Sequence, residues 1–206
     1  MRFIKPLDKI LGQKSKIKIL RLLSLYKKEP TIREVSRETG ITPPNASRIL
    51  KELKAEGVVT AKKAGRSILY SLNSKHYLVK NVILPIFKKE QRARMDLVRL
   101  LKSKLDFPVE SIILFGSVAR GGEKPGSDLD LLFIIPDKVN PKELEEKIYS
   151  LSPQLISYFG NSISPLIMKR SEFLLRFKNG ERLLRTILKD GEVLAGQLIG
   201  EILCQK

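Results

Sequence analysis

The residues with the clearest chemical potential are two aspartates one residue apart, Asp128 and Asp130. They stand at the start of an apolar run, Leu129 to Ile135, that predicts a β-strand. Residues i and i+2 of a strand point to one face, with Cα atoms about 6.5–7 Å apart. Two carboxylates on one face can bind Mg²⁺, which prefers carboxylate and substrate phosphate oxygens.

A second candidate element is the pair Gly116-Ser117, which follows an apolar strand predicted over residues 111–115 and should open a helix. Backbone N–H groups at such a turn form an anion site, and a small residue lets phosphate approach closely. Arg120, just past the turn, could contact phosphate or lie in solvent. A phosphate cradle beside a divalent-metal site is the equipment for phosphoryl or nucleotidyl transfer.

The segment from Phe115 to Leu131 resembles the polymerase-β nucleotidyltransferase superfamily, and most of all its minimal nucleotidyltransferase branch, whose signature is Gly-Ser, a spacer and Asp-x-Asp. The resemblance covers roughly residues 92–195. It implies that Asp128 and Asp130 are catalytic and bind Mg²⁺ and a nucleoside triphosphate. It also implies that Gly116 and Ser117 hold phosphate, with Arg120 as a further nucleotide contact.

One departure from the family concerns a third carboxylate, which active members usually carry on a later strand. The corresponding predicted strand, residues 162–168, contains no acid, and Ser162 or Ser164 stands where one is expected. Glu172 lies just beyond and could substitute only if the loop folds back. Two carboxylates can hold a magnesium nucleotide, so nucleotide binding is expected while transferase activity stays open.

The charge distribution points to a different partner for the first part of the chain. The net charge is +17, and residues 1–80 carry 19 basic and 6 acidic side chains, whereas residues 107–206 carry 13 of each. Such asymmetry favours a polyanion, with nucleic acid ahead of an anionic membrane surface.

The elements of this basic half follow from helical spacing and from capping residues. Thr31 and Glu34 predict a capping box, and Thr42 with Pro43 predicts the start of the next helix. The predicted order is helix, helix, turn, helix and hairpin. The three helices cover residues 14–25, 32–39 and 43–56, and the two strands of the hairpin cover residues 58–60 and 67–72. This order resembles the winged helix-turn-helix of small prokaryotic transcription regulators, over about residues 10–73.

The resemblance predicts binding to double-stranded DNA, because Arg can read guanine and Asn can read adenine in the major groove. The third helix would present Asn45, Ser47, Arg48, Lys51 and Lys54, and the wing would present Lys62, Lys63 and Arg66.

The predicted fold class is α+β: a winged helix-turn-helix domain followed by a small mixed-sheet nucleotidyltransferase-like α/β domain. The predicted domains are residues 1–75 and 107–206, joined by a helical linker over 76–106 that Pro85 should interrupt or kink. Further helices are predicted over 141–158, 171–189 and 197–203.

Several apolar residues have no obvious partner in the first domain and predict either a homodimer or packing against the second domain: Val79, Val82, Ile83, Ile86 and Phe87.

Composition excludes other classes. One Cys and one His argue against internal disulfides, zinc sites and Ser-His-Asp chemistry, and without a long apolar run or a signal sequence we expect a cytoplasmic protein without membrane contact. The favoured function is a DNA-binding regulator or toxin–antitoxin component, with a possible protein or toxin partner, that binds magnesium nucleoside triphosphate. The alternatives are an active nucleotidyltransferase acting on a protein, RNA or small molecule, and a scaffold with vestigial sites.

Overall fold

The computed structural model describes residues 3–26, 28–124 and 126–204. Contacts between residues divide the chain into two compact units, Met1–Arg92 and Ala93–Lys206. The division falls within the helical segment predicted for residues 76–106. No helix in the described part of the chain combines the length and the apolarity needed to cross a bilayer.

The first unit has the predicted order of helices and hairpin. Its elements are α1 (Pro6–Leu11), α2 (Lys14–Leu25), α3 (Ile32–Thr39), α4 (Pro43–Ala55), β1 (Val59–Ala64) and β2 (Ser67–Leu72). Helix α1 was not predicted. The two strands pair antiparallel, with Ala64 opposite Ser67. The predicted end of the first strand at residue 60 is wrong: β1 continues through Lys62 and Lys63, which were expected in the connection between the strands, because Gly65, with φ +59°, closes the turn within two residues.

Two caps decide where the helices of this unit begin. The predicted capping box is confirmed: Thr31 Oγ1 accepts from the Glu34 N–H at 3.4 Å, and the Glu34 carboxylate accepts from the Thr31 N–H at 2.7 Å. Thr42 occupies the N-cap of α4 but makes no side-chain capping hydrogen bond, so its predicted role is only half confirmed.

The core of the first unit also contains the apolar residues that were expected to lack a partner there. Val79, Ile83 and Phe87 are buried in this core, and Val82 packs against it. Only Ile86, 48% exposed, stays on the surface. The premise for assigning these residues to a dimer contact was therefore wrong: the chain after the hairpin folds back onto its own domain.

The predicted interruption near Pro85 is a change of helix type. A π-helical segment, Val79–Ile83, passes directly into α5, Leu84–Leu105. Pro85, which has no N–H to donate to the preceding turn, stands directly after this change of helix type.

The second unit, into which α5 continues, is built on one mixed sheet. Its further elements are β3 (Ser111–Phe115), α6 (Gly116–Ala119), β4 (Leu129–Ile135), α7 (Pro141–Phe159), β5 (Ile163–Lys169), α8 (Arg170–Lys178), α9 (Arg182–Asp190), β6 (Glu192–Gly196) and α10 (Ile199–Cys204). The strand order is β5-β4-β3-β6, with β4 and β5 parallel and the other pairs antiparallel. The single helix predicted over 171–189 is wrong, because Gly180, with φ +72°, separates α8 from α9.

Alternate residues of β4 face two different cores. Leu131 and Phe133 pack with α5 and α7, whereas Leu132 and Ile134 pack with α8, α9 and α10. Because side chains alternate along a strand, Asp130 shares the second face, at the end of the strand where the apolar core stops.

Candidate functional site

The aspartate pair lies at the point where three strands meet. Asp128 immediately precedes β4, and Asp130 is its second residue. Asp130 is paired with Phe115 of β3 on one side and with Ser164 of β5 on the other. Asp128 is exposed and Asp130 is half-buried. The pair lies at the start of β4, on the face of the sheet that α8, α9 and α10 cover towards the other end of the strand.

The loop that begins at Gly116 lies directly against Asp130. Gly116 has φ +75°, and a Cβ atom placed on it would lie 1.9 Å from Oδ2 of Asp130. The loop then closes on itself, with the Gly122 N–H donating to the Ser117 carbonyl at 2.9 Å. Strand pairing and a residue without a side chain therefore bring the predicted phosphate loop and the carboxylate pair together.

The two carboxylates repel each other. The pKa of Asp130 is raised, chiefly by burial and then by the negative charge of Asp128, while Arg120 partly offsets the shift. Arg120 is exposed but close enough for its charge to act on Asp130. A cation shared by the two carboxylates would remove the repulsion, and an all-oxygen pair suits Mg²⁺.

No acid occupies the place of the third carboxylate. Ser162 donates a hydrogen bond to Asp128 Oδ1, and Ser164 is the strand partner of Asp130. Glu172 does not fold back to the pair: the parallel register places it beyond the opposite end of β5, where it pairs with Arg176 at 2.7 Å. Within the described residues, no group of three or more His, Cys, Asp or Glu side chains could hold a metal ion.

Sequence reasoning missed one residue that supports this site. Asn161 donates from Nδ2 to the Ser127 carbonyl at 2.7 Å, and the Leu129 N–H donates to the Ser162 carbonyl at 2.8 Å. The segment before β5 thus fixes the backbone on both sides of Asp128. Its only signal in the sequence is a pair of polar residues just before an apolar strand.

The predicted nucleic-acid surface lies on α4 and the hairpin. The inner face of α4 is fully buried at Ala46, Ile49, Leu50 and Leu53. Its other side carries exposed Arg48, Lys51 and Lys54 with half-exposed Asn45 and Ser47, and the hairpin exposes Lys62, Lys63 and Arg66. The structure therefore presents every predicted DNA contact at the surface of one unit.

Two family models match the chain. One is described as "Nucleotidyltransferase domain" and matches residues 94–186, and the other is described as "Winged helix-turn-helix DNA-binding" and matches residues 13–60. They confirm the two resemblances drawn from the sequence and the predicted fold class.

Two relatives from Methanocaldococcus jannaschii are similar to part of this chain. The chain is 34% identical over 89 residues to the "Putative protein adenylyltransferase MJ0141", which covers 43% of this chain and 82% of that protein. It is 31% identical over 105 residues to the "Putative protein adenylyltransferase MJ0604", with coverage of 51% and 97%. Among solved structures, a toxin–antitoxin MntA-HpeT mutant has a TM-score of 0.39 at 18% identity, covering 53% of this chain and 78% of that one.

Proposed function

We propose that this chain, which belongs to the family of proteins with a nucleotidyltransferase domain, is a DNA-binding regulator whose second unit binds a magnesium nucleoside triphosphate. The observation that carries the proposal is the contact between the Gly116 loop and Asp130, which puts a phosphate-binding turn beside two carboxylates on one face. The winged helix-turn-helix match and the basic first half support the DNA-binding part.

Each residue of the proposed nucleotide site has a separate role. Asp128 and Asp130 would hold Mg²⁺, which when bound neutralises their charge and polarises the phosphate oxygens. Gly116 and Ser117 would offer backbone N–H groups to phosphate, and Arg120 would add a positive charge. Ser162 and Asn161 keep Asp128 in place.

Calorimetric titration with ATP, with and without Mg²⁺, tests this proposal. The wild-type chain should bind ATP only in the presence of Mg²⁺, and D128N/D130N should abolish that binding. S117A should weaken binding only modestly, because backbone groups form much of the phosphate cradle. Equal affinity of the wild type and the double variant would contradict the proposal.

A second candidate function is transfer of AMP from ATP to a protein hydroxyl, with pyrophosphate as the leaving group. Two relatives bear the name of protein adenylyltransferases, which favours this candidate. The serines at the place of the third carboxylate favour binding without efficient transfer. ATP labelled at the α-phosphate, incubated with the chain and candidate protein or RNA acceptors, decides between them: labelled acceptor supports the enzyme, and Mg²⁺-dependent binding without label supports the regulator.

The regulator could act on its own promoter as part of a toxin–antitoxin pair, with the toxin as the protein partner. We also propose that it binds DNA as a homodimer, because paired recognition helices can enter successive major grooves about 34 Å apart. Light scattering at micromolar concentration tests the dimer, and a monomer that stays a monomer on DNA would contradict it.

A further inference from the structure

A chain of polar contacts connects α4, the helix predicted to read DNA, to α2. Arg48 donates from Nη2 to Asn45 Oδ1 at 2.8 Å and from Nη1 to Glu52 Oε1. The other carboxylate oxygen of Glu52, Oε2, lies 2.8 Å from Lys16 Nζ. The four side chains thus form a continuous path from α2 across one flank of α4.

The Lys16 end of this path is fixed. Lys16 is only 7% exposed, and its Nζ also donates to the Lys9 carbonyl at 2.8 Å. The Glu52 carboxylate is therefore held by a cation on each side, and the pKa of Glu52 is lowered, first by the hydrogen bond from Lys16. An ionised, doubly held carboxylate is a rigid support for the guanidinium that it binds.

The Arg48 end of the path points away from the core. Buried residues define the inner face of α4, and the helical period places Arg48 on the opposite side. A guanidinium has five N–H groups, and the contacts to Asn45 and Glu52 use two of them. Three remain, one more than the two needed to bind O6 and N7 of guanine.

We propose that Glu52, anchored by Lys16, is a positioning residue that fixes Arg48 to read a guanine in the major groove. The inference rests on the DNA binding proposed above and adds a determinant of sequence specificity to it. Arg48 binds the base, while Glu52 and Lys16 act through Arg48. The negative charge of Glu52 on a DNA-binding helix is balanced by the two cations that flank it.

Selection from a randomised duplex library with the full chain tests this inference. The wild type should select a guanine at one position, and R48A should lose that preference. E52Q should reduce the preference by about tenfold, because glutamine has no negative charge and cannot hold Arg48 and Lys16 on two separate acceptor oxygens, as Glu52 does. Because Glu52 acts through Arg48, adding E52Q to R48A should not reduce the guanine preference any further. E52D keeps the charge and should show a stronger guanine preference than E52Q.

E90Q is the matched control. Glu90 also holds an arginine, with Arg21 Nε and Nη2 at 2.6 and 2.8 Å, and the substitution removes the same charge from the same unit. Each variant removes one negative charge and should raise the affinity for random DNA, whereas only E52Q should flatten the base preference. Circular dichroism melts establish that each variant is folded.

Three outcomes would overturn the inference: E52Q with the wild-type preference, R48A with an intact guanine preference, or wild-type binding with no base preference. The last of these leaves the proposed DNA-binding function standing. A wild-type chain that binds no duplex DNA at low salt refutes both together.

Discussion

At Gly116, both the backbone conformation and the close approach to Asp130 depend on the absence of a Cβ atom. Its φ of +75° is shared with other loop glycines, but only here would a Cβ atom meet the Asp130 side chain, at 1.9 Å from Oδ2 and 3.1 Å from Cβ. Gly121, with φ +70°, has nothing within 4 Å of the same position. Replacing Gly121 would therefore introduce backbone strain alone, whereas replacing Gly116 would also push against the Asp130 side chain.

We expect G121A to destabilise the protein by about 1 kcal/mol, the cost of a left-handed alanine, and to leave nucleotide binding intact. G116A should cost more and should abolish magnesium-dependent ATP binding, since the carboxylate must move. Urea unfolding and calorimetric titration measure the two effects. If both variants bind ATP equally, the proposed contact between the loop and the nucleotide site is wrong.

The aspartate pair carries a stability cost of its own. Because the pKa of Asp130 is raised in the folded chain, the native state holds its proton more tightly than the unfolded state does. The free energy of unfolding contributed by this group therefore falls as the pH rises from the ordinary aspartate pKa through the raised one. Above that window the ionised Asp130 opposes folding.

D128N/D130N should thus be at least as stable as the wild type at pH 7 in the absence of metal. The gain should disappear below the ordinary aspartate pKa, where Asp130 is protonated in the folded and the unfolded chain alike. Asparagine keeps an oxygen that can accept the Ser162 hydrogen bond, so no hydrogen bond need be lost. Thermal melts across this pH range test the sign, and a double variant that is less stable at pH 7 would contradict it.

At the scale of elements, the two threonine caps of the first unit are a natural pair for comparison. Thr31 makes a reciprocal capping box at α3, whereas Thr42 makes no side-chain capping hydrogen bond at α4. The pKa of Glu34 is lowered, first by the hydrogen bond from the Thr31 backbone and then by the Thr31 hydroxyl. The box therefore contributes stability above the ordinary pKa of Glu34, and this contribution is lost as the pH falls through the lowered one.

T31A should cost about 1 kcal/mol at neutral pH, and T42A should cost much less. The difference between T31A and the wild type should shrink in acid, as Glu34 becomes protonated. Urea titrations at neutral and acid pH measure both changes. Equal costs for the two threonine variants would show that the capping box does not stabilise α3.

For the whole molecule, the distribution of charge along the chain is expected to set the affinity for DNA. The excess of positive charge belongs to the first half, while residues 107–206 are balanced. If about five to six phosphates are neutralised, the log–log dependence of DNA affinity on salt should have a slope near −5. The hairpin supplies three of the exposed cations, at Lys62, Lys63 and Arg66.

K62A/K63A/R66A should therefore make the slope shallower by roughly 2–3 units. K138A/K142A/K178A removes the same charge from exposed positions of the second unit and should leave the slope unchanged. Fluorescence anisotropy at several salt concentrations measures both. A similar change in the two triple variants would mean that net charge, and not the hairpin, sets the affinity.

Most local elements, and the positions of the candidate site residues, could be predicted from residues close together in the chain. Apolar spacing and the Thr31 capping box predicted α2 and α3 but not α1, and the period of two along β4 put Asp128 and Asp130 on one face. These features depend on residues a few positions apart, so sterics and hydrogen bonding within a segment are enough to specify them.

Which distant segments meet could not be predicted from the sequence and depends on how the elements pack. Parallel pairing of β4 with β5 brings Ser162 to Asp128 and carries Glu172 to the far end of the strand, and α7 separates the two strands in the chain. The burial of Val79 and Phe87 and the support of Arg48 from Lys16 arise in the same way. Such contacts are selected by the packing of whole elements, and no local periodicity encodes their register.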